Sequence, residues 1–287
     1  MTKKIAVIND LSGFGRCSLT AAISVISAMG VQPCPLPTAI LSAQTGYDNY
    51  YCDSYTDKMP LIRAEWEKMG VAFDGIYTGF LADERQVNQI YMFLESFLKE
   101  HTFLLVDPVL GGDGKPHSLF TPRLLEKMKE LCFRADIITP NLTELCLLTG
   151  ADYEELSQIG TPFLLMEVVA ELGRSLFQER LHQVLVTGIR YTDEDGVDQM
   201  GNLFLSEKDQ KLIPFPYIGG SYSGTGDLFA SCIAAGIARG DTPETAAELA
   251  GEFISLAIAD SIKEQVPRND GVNYEKYLSM LASSYKK

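Results

Sequence analysis

The sequence is poor in the residues that build metal centres and disulfide frameworks. Its 3 histidines stand apart from its 6 cysteines, and no Cys-x-x-Cys pair occurs. That pattern argues against a zinc site and for reduced thiols, so a cytoplasmic location is expected. Basic side chains are also scarce, with 24 Lys and Arg against 38 Asp and Glu, a formal net charge of −14. Nucleic acid and anionic lipid are thereby disfavoured as partners, and any anionic ligand has to be held by a local device. Cys17 to Tyr47 carries no charge over about thirty residues, longer than the roughly twenty that cross a bilayer. Pro33, Pro35 and Pro37 interrupt it, and Ser18, Thr20, Ser24 and Ser27 dilute its apolar half. It reads as buried backbone, and neither a membrane span nor a short cleavable secretory signal is expected.

What remains is ample core material, since 46% of the 287 residues are hydrophobic and 22% charged. Short apolar runs at Lys4 to Ile8, Gly75 to Thr78, Thr102 to Val106, Asp136 to Thr139 and Gln183 to Thr187 alternate with helical patterns. Those patterns cover Ser18 to Met29, Pro60 to Met69, Glu84 to Lys99, Pro122 to Cys132, Pro162 to Glu179, Thr225 to Arg239 and Pro243 to Lys263. Uniformly apolar strands between helices imply a mainly parallel sheet covered on both faces, a three-layer α/β/α arrangement. Thr121-Pro122, Thr161-Pro162 and Thr242-Pro243 each pair a capping hydroxyl with a proline suited to the first turn. No repeat or low-complexity linker appears, which favours a single domain over residues 1–287. A polar, tyrosine-rich stretch from Asn49 to Tyr55 reads either as a flap, within about 42–58, or as an exposed edge strand. Gly201 to Phe215 reads as a hairpin turning at Ser206 to Asp209.

The most informative stretch is Ser221-Tyr222-Ser223-Gly224-Thr225-Gly226-Asp227-Leu228-Phe229-Ala230, a glycine-rich turn running into an apolar helix. The unpaired N–H groups of such a helix start, with the positive end of its dipole, attract a phosphate. Asp227 would repel that phosphate unless it acts on the other reactant, taking a proton from the attacking hydroxyl. Its alternative role is simply to stabilise the helix N-terminus. Val106-Asp107-Pro108-Val109-Leu110-Gly111-Gly112-Asp113, Thr139-Pro140-Asn141-Leu142-Thr143-Glu144 and Val186-Thr187-Gly188 follow predicted strands, where ligands gather in open parallel sheets. Asp107, Asn141 and Glu144 supply oxygens suited to a hydrated magnesium ion carried by a nucleotide. Taken singly, Asp107 could start a turn and Asn141 could cap the helix holding Glu144.

In this order Asp107-Pro108-Val109, Thr139-Pro140-Asn141-x-x-Glu144, Val186-Thr187-Gly188 and Gly224-Thr225-Gly226-Asp227 resemble the ribokinase-like superfamily, in particular its pyridoxal (vitamin B6) kinase branch. Thr45-Gly46-Tyr47 resembles the His-Thr-Gly-Tyr segment of that branch, with Gln44 in place of the histidine. The resemblance spans most of the chain and implies ATP and magnesium as cofactors, a monovalent cation such as K+, a B6 vitamer as substrate, and a homodimer. It implies that Asp227 deprotonates the 5′-hydroxymethyl group while Gly224, Thr225 and Gly226 stabilise the moving phosphoryl. Asn141, Glu144, Thr187, Gly188 and Thr225 would meet ATP. Asp107, Asp113 and Glu144 would support the metal, with an extra glycine at Gly111-Gly112 relative to the family. Asp10, Ser12 and Thr45 would contact the pyridine ring's polar groups and Phe80 its face.

Asp10-Leu11-Ser12-Gly13 is closer to the start of hydroxymethylpyrimidine kinases, which makes that activity the nearest alternative, although those relatives commonly carry Gly-Thr-Gly-Cys at the catalytic turn. A nicotinamide-dependent dehydrogenase is disfavoured, because Gly13-x-Gly15 is followed by Ser18 where the third glycine belongs. A noncatalytic sensor would be expected to lack the base, and Asp227 is present. His101, His117 and His182 read as loop or surface residues, Cys17 as a buried thiol, and Thr192 to Asp198 as a solvated loop.

Overall fold

The computed structural model describes residues 2–283. The chain forms two compact units, Met1–Leu104 with Gly219–Lys287, and Leu105–Ile218. The first begins with β1 (Lys4–Ser12), α1 (Ser18–Ala28), β2 (Gln32–Leu41), β3 (Cys52–Ser54), α2 (Met59–Met69), β4 (Gly75–Thr78) and α3 (Glu84–Phe97). Its strands lie in the order β4-β1-β2-β3. The first three are parallel and β3 is antiparallel to β2. Ile5, Ala6, Val7 and Ile8 of β1 are completely buried, as a central strand covered on both faces requires. Trp66, Phe73, Phe93 and Phe97 pack together, with ring centroids 4.6 Å apart for Phe93 and Phe97.

β2 was not among the expected strands, because its prolines read only as breakers. They fall at alternate positions, so all their missing N–H groups lie along one edge. The other parity faces β1, as the N–H of Gln32 donating to the Lys3 carbonyl at 2.8 Å shows. β3 pairs only with Ala39 to Leu41, beyond the last proline, and no ladder bond is lost. The flap and the edge strand are both present. Ser42 N–H donates to the Tyr51 carbonyl, closing a small antiparallel hairpin whose second strand, β3, is exposed.

The second unit carries β5 (Phe103–Val106), β6 (Gly111–Gly112), β7 (Lys115–Pro116), α4 (Pro122–Cys132), β8 (Ile137–Ile138), α5 (Leu142–Thr149), α6 (Tyr153–Ser157), α7 (Pro162–Ser175), β9 (Gln183–Thr192), β10 (Asp198–Ser206) and β11 (Gln210–Pro216). The order is β5-β8-β9-β10-β11, parallel through β9 and antiparallel beyond it. The expected hairpin is β10 and β11, turning where Ser206 N–H donates to the Asp209 carbonyl.

The chain then returns to the first unit with α8 (Thr225–Arg239), α9 (Pro243–Lys263) and, after short 3-10 turns, α10 (Leu278–Ser283). A Cβ on Gly236 would lie 2.6 Å from that of Ala246, so this glycine sets how closely α8 and α9 approach. Among the described residues every cysteine is a free thiol, and no helix is long and apolar enough to cross a membrane.

The expected threonine caps divide. Thr121 and Thr242 accept from the N–H groups of Leu124 and Thr245, whereas Thr161 makes no side-chain cap bond. Thr121→Ala and Thr242→Ala should each lower stability by about 1 kcal/mol in urea unfolding, with Thr161→Ala nearly neutral.

Candidate active site

In the first unit, polar groups converge where β1 ends. Asn9 and Asp10 follow the apolar Ile5 to Ile8 run, and the register between β1 and β2 shifts between Asn9 and Leu11. Such a bulge re-aims side chains without ending the strand. Asp10 is buried and accepts from Ser12 Oγ at 2.8 Å. Burial pushes its carboxyl above the usual range, opposed by hydrogen bonds from the Ser18 and Ser12 hydroxyls.

Asp227 sits in the first turn of α8, half-buried. Desolvation raises its carboxyl to about 6, with Asp10's negative charge adding to the rise, while the Ser18 N–H and the Asn9 amide lower it. Asn9 Nδ2 donates to Asp227 Oδ1 at 3.0 Å. Ser18 therefore serves both carboxylates, one with its hydroxyl and the other with its N–H, from a left-handed backbone at φ 51°. Phe80 is buried beside them, its N–H donating to Asn9 Oδ1 at 2.8 Å and its carbonyl accepting from Thr38 at 2.9 Å.

The N-cap of α8 is Gly224, at φ 84° and with no side-chain cap bond. A Cβ there would lie 2.0 Å from the Arg16 carbonyl oxygen, so only glycine fits. Gly226 differs, because it is exposed and a Cβ would meet no protein atom. The turn thus presents backbone N–H groups of the helix start with little side-chain cover, the arrangement that receives an anion.

The flap is fastened to this turn. Gln44 Nε2 donates to Ser223 Oγ at 3.2 Å and to the Asn269 carbonyl at 3.1 Å, while Gln44 Oε1 accepts from Gly46 N–H at 2.7 Å. Tyr47 donates to Asp270, and Asn269 Nδ2 donates to the Gly46 carbonyl. Thr45 is half-buried between these anchors, so Gln44 acts as a clip within the protein. Cys17 is buried, as expected. Burial, then Asp227 and Asp10, push its thiol up to about 12, which makes it unreactive.

In the second unit, Asp107, Thr139, Asn141, Glu144 and Thr187 come together. Thr139 Oγ1 donates to Asp107 Oδ1 at 2.9 Å. Asn141 caps α5, accepting from Glu144 N–H at 3.0 Å, while Glu144 Oε2 accepts from Asn141 N–H at 2.8 Å. The capping reading of Asn141 is therefore correct for its oxygen. Its amide nitrogen donates to the Gly111 carbonyl at 2.8 Å. Glu144 Oε1 accepts from Leu110 N–H at 3.1 Å. Burial first, and then Asp107, raise the Glu144 carboxyl well above the carboxylate range. Thr187 pairs with Asn141 in a parallel bridge, and the exposed Gly188, at φ 70°, donates to Asn202 at 3.2 Å. Asp113 lies apart from the buried pair, exposed at the β6–β7 turn with φ 52°. Gly114 follows it at φ 77° to complete the turn, and a Cβ on Gly111 would lie 2.3 Å from the Lys115 carbonyl oxygen across the hairpin.

Among the described residues no group of three or more His, Cys, Asp or Glu could hold a metal ion by itself. Asp107 and Glu144 are two neighbouring buried carboxylates, a donor set of the size that a magnesium ion carried by nucleotide phosphates takes while keeping several waters. Sequence reasoning missed Asn9 and Gln86. Gln86, fully buried on α3, donates to the Thr38 carbonyl at 2.7 Å and accepts from Ala82 N–H at 2.8 Å, holding the segment after Phe80. A polar residue at the end of an apolar strand, beside Asp10, was the available signal for Asn9. Gln86 gave none.

The phosphomethylpyrimidine kinase family model matches residues 15–271. A solved phosphomethylpyrimidine kinase structure from Bacteroides thetaiotaomicron, in a crystal form with pyridoxal, superposes with a TM-score of 0.88 at 35% identity, covering 98% of this chain and 96% of that one. The pyridoxal kinase structure from Lactobacillus plantarum gives a TM-score of 0.85 at 28% identity, covering 99% and 98% of the respective chains. The pyridoxine/pyridoxal/pyridoxamine kinase of Bordetella avium is 25% identical over 274 residues, which is 90% of this chain and 86% of that protein. These likenesses span nearly the whole chain and carry the ribokinase-like α/β fold with it.

The two glycines of the turn should respond oppositely. Gly224→Ala should destabilise by roughly 2 kcal/mol or more, because the Cβ collides with backbone at a left-handed φ. Gly226→Ala should match the parent or gain up to about 1 kcal/mol of helix propensity in the same denaturation assay. Alkylation followed by peptide mass spectrometry should label the exposed Cys52 well before the buried Cys17.

Proposed function

The chain belongs to the phosphomethylpyrimidine kinase family, and we propose that it is an ATP-dependent kinase that phosphorylates the 5′-hydroxymethyl group of pyridoxal, pyridoxine or pyridoxamine, as in vitamin B6 salvage. The observation that carries this reading is a desolvated carboxylate, Asp227, inside a glycine turn whose N–H groups would attract anions. A carboxylate in that place serves a phosphate donor badly and a hydroxyl acceptor well.

Asp227 takes the proton of the hydroxymethyl group as its oxygen approaches phosphorus, and the N–H groups of Gly224, Thr225 and Gly226 meet the charge on the transferring phosphoryl. The transition state of phosphoryl transfer is loose, so positioning and charge neutralisation do most of the work. Phe80 offers its ring to one face of the pyridine, and Asp10, Ser12 and Thr45 address its polar groups. For the nucleotide we assign Asn141, Glu144, Thr187, Gly188 and Thr225. Magnesium bound with ATP supplies charge neutralisation of the phosphates. Asp107 and Glu144 are the side chains that would hold it, with Asp113 joining them by family resemblance. Residues 1–287 are read as one kinase domain with the 42–58 flap, in a cytoplasmic homodimer, and a monovalent cation such as K+ is a further candidate cofactor.

Hydroxymethylpyrimidine phosphorylation is the second reading, favoured by Asp10-Leu11-Ser12-Gly13 and by Gln44, which is spent on protein groups where pyridoxal kinases carry a histidine. A panel of the B6 vitamers, hydroxymethylpyrimidine and ribose with ATP separates the two by product mass. Absence of product from every vitamer rejects the first reading. Asp227→Asn should cut kcat by roughly 10²-fold or more while leaving ATP binding intact by calorimetry. Because the base must be ionised and its carboxyl lies at about 6, kcat/KM should fall as pH drops through about 6 and level off above it. An acid limb near the ordinary carboxylate range would contradict the assignment.

A further inference from the structure

Asn9 is a completely buried polar residue that follows the apolar Ile5 to Ile8 run of β1. Its side-chain oxygen accepts from the N–H groups of Asp10 at 2.9 Å and Phe80 at 2.8 Å. Two donors on one atom settle which end of the amide is oxygen, so the NH2 group faces the remaining partner, Asp227 Oδ1, at 3.0 Å. Packing limits the side chain further, since a Cβ on Gly79 would lie 2.5 Å from Asn9 Nδ2. One amide therefore joins the backbone of Phe80, the strand end bearing Asp10 and the carboxylate at the start of α8.

We infer that Asn9 is a positioning residue for phosphoryl transfer, holding Oδ1 of Asp227 through a donated hydrogen bond and keeping the base in fixed relation to the Phe80 ring. This rests on the reading of Asp227 as the base. The ionisable groups that face Asp227 are Asp10 from β1 and Cys17 from the segment leading into α1, and α8 adds no other acid in its first turn. Neither favours its ionised form. That task falls to two donors, the Ser18 N–H and the Asn9 amide. Sequence position gives Asn9 no such role, because its partner Asp227 is 218 residues away.

Asn9→Asp keeps both bonds accepted from the backbone, removes the donor to Asp227 and sets a second carboxyl in its place, so that two acids share one proton. The acid limb of kcat/KM should move up by about one pH unit, with KM for the vitamer changed by no more than about threefold. A pH profile superimposable on the parent's would overturn the inference. The unsubstituted protein supplies an independent arm. In 15N-labelled enzyme the side-chain NH2 signals of Asn9 should shift with a midpoint near 6 and stop doing so in Asp227→Asn. Signals that do not titrate, or that still titrate in Asp227→Asn, would overturn it even if Asn9→Asp does not fold. Absence of turnover by the parent on every vitamer removes the reaction and with it this role. Turnover with unmoved amide signals removes Asn9 alone.

Discussion

An ionised carboxylate taken out of water is costly unless N–H groups are aimed at it, and the first unit is organised around meeting that cost for Asp227. Its donors come from the other end of the chain, Asn9 near the end of β1 and Ser18 at the start of α1. Ser18 accepts a left-handed backbone, a strained choice for a residue with a Cβ, and in return reaches Asp227 with its N–H and Asp10 with its hydroxyl. The balance leaves the carboxyl near 6, ionised at neutral pH yet basic enough to take a proton.

The second unit meets the same constraint by other means. Asp107 and Glu144 are buried acids; burial first, and then the charge of Asp107, raise Glu144, which is held by the N–H groups of Leu110 and Asn141. Its bond to Asn141 is also one half of a capping box, so the residue that starts α5 is the one that holds the acid in place. Asn141 uses both ends of its amide within the protein, the oxygen to cap α5 and the nitrogen to hold the Gly111 carbonyl. The acidity of the chain, −14 overall, is thus of two kinds. A few carboxylates are buried at strand ends and restrained by donors. Others, such as Asp193 and Asp198, are half-buried at the surface, bonded to the Val197 N–H and to Arg190 respectively.

The uncharged stretch from Cys17 to Tyr47 shows how local signals mislead when read without a partner strand. Pro33, Pro35 and Pro37 forbid a central strand paired along both edges, but at alternate positions they permit one paired along a single edge. The flap that follows is held by buried polar groups: Gln44 to Ser223 and Asn269, and Tyr47 to Asp270. Its opening would therefore break a bond to the glycine turn that starts α8.

Most helices and the apolar strands were legible because burial on one stripe or on both faces leaves a periodic mark, and Thr-Pro and glycine mark the ends of elements. Asp107, Asn141, Glu144, Gly224 and Asp227 were legible because each belongs to a short motif whose chemistry is local. Asn9 and Gln86 were not, because a buried amide acquires its meaning from the groups it faces, and those are supplied by other strands and loops. Gln44 was visible only as a departure from a pattern, and its work as a clip depends on Ser223 and Asn269, remote in the chain. The sequence by itself determined the alternation of strands and helices, the glycine turn and the place of Asp227 within it. Tertiary structure alone decided how readily that carboxylate ionises, because desolvation and hydrogen bonding depend on which atoms surround it, whatever their order along the chain.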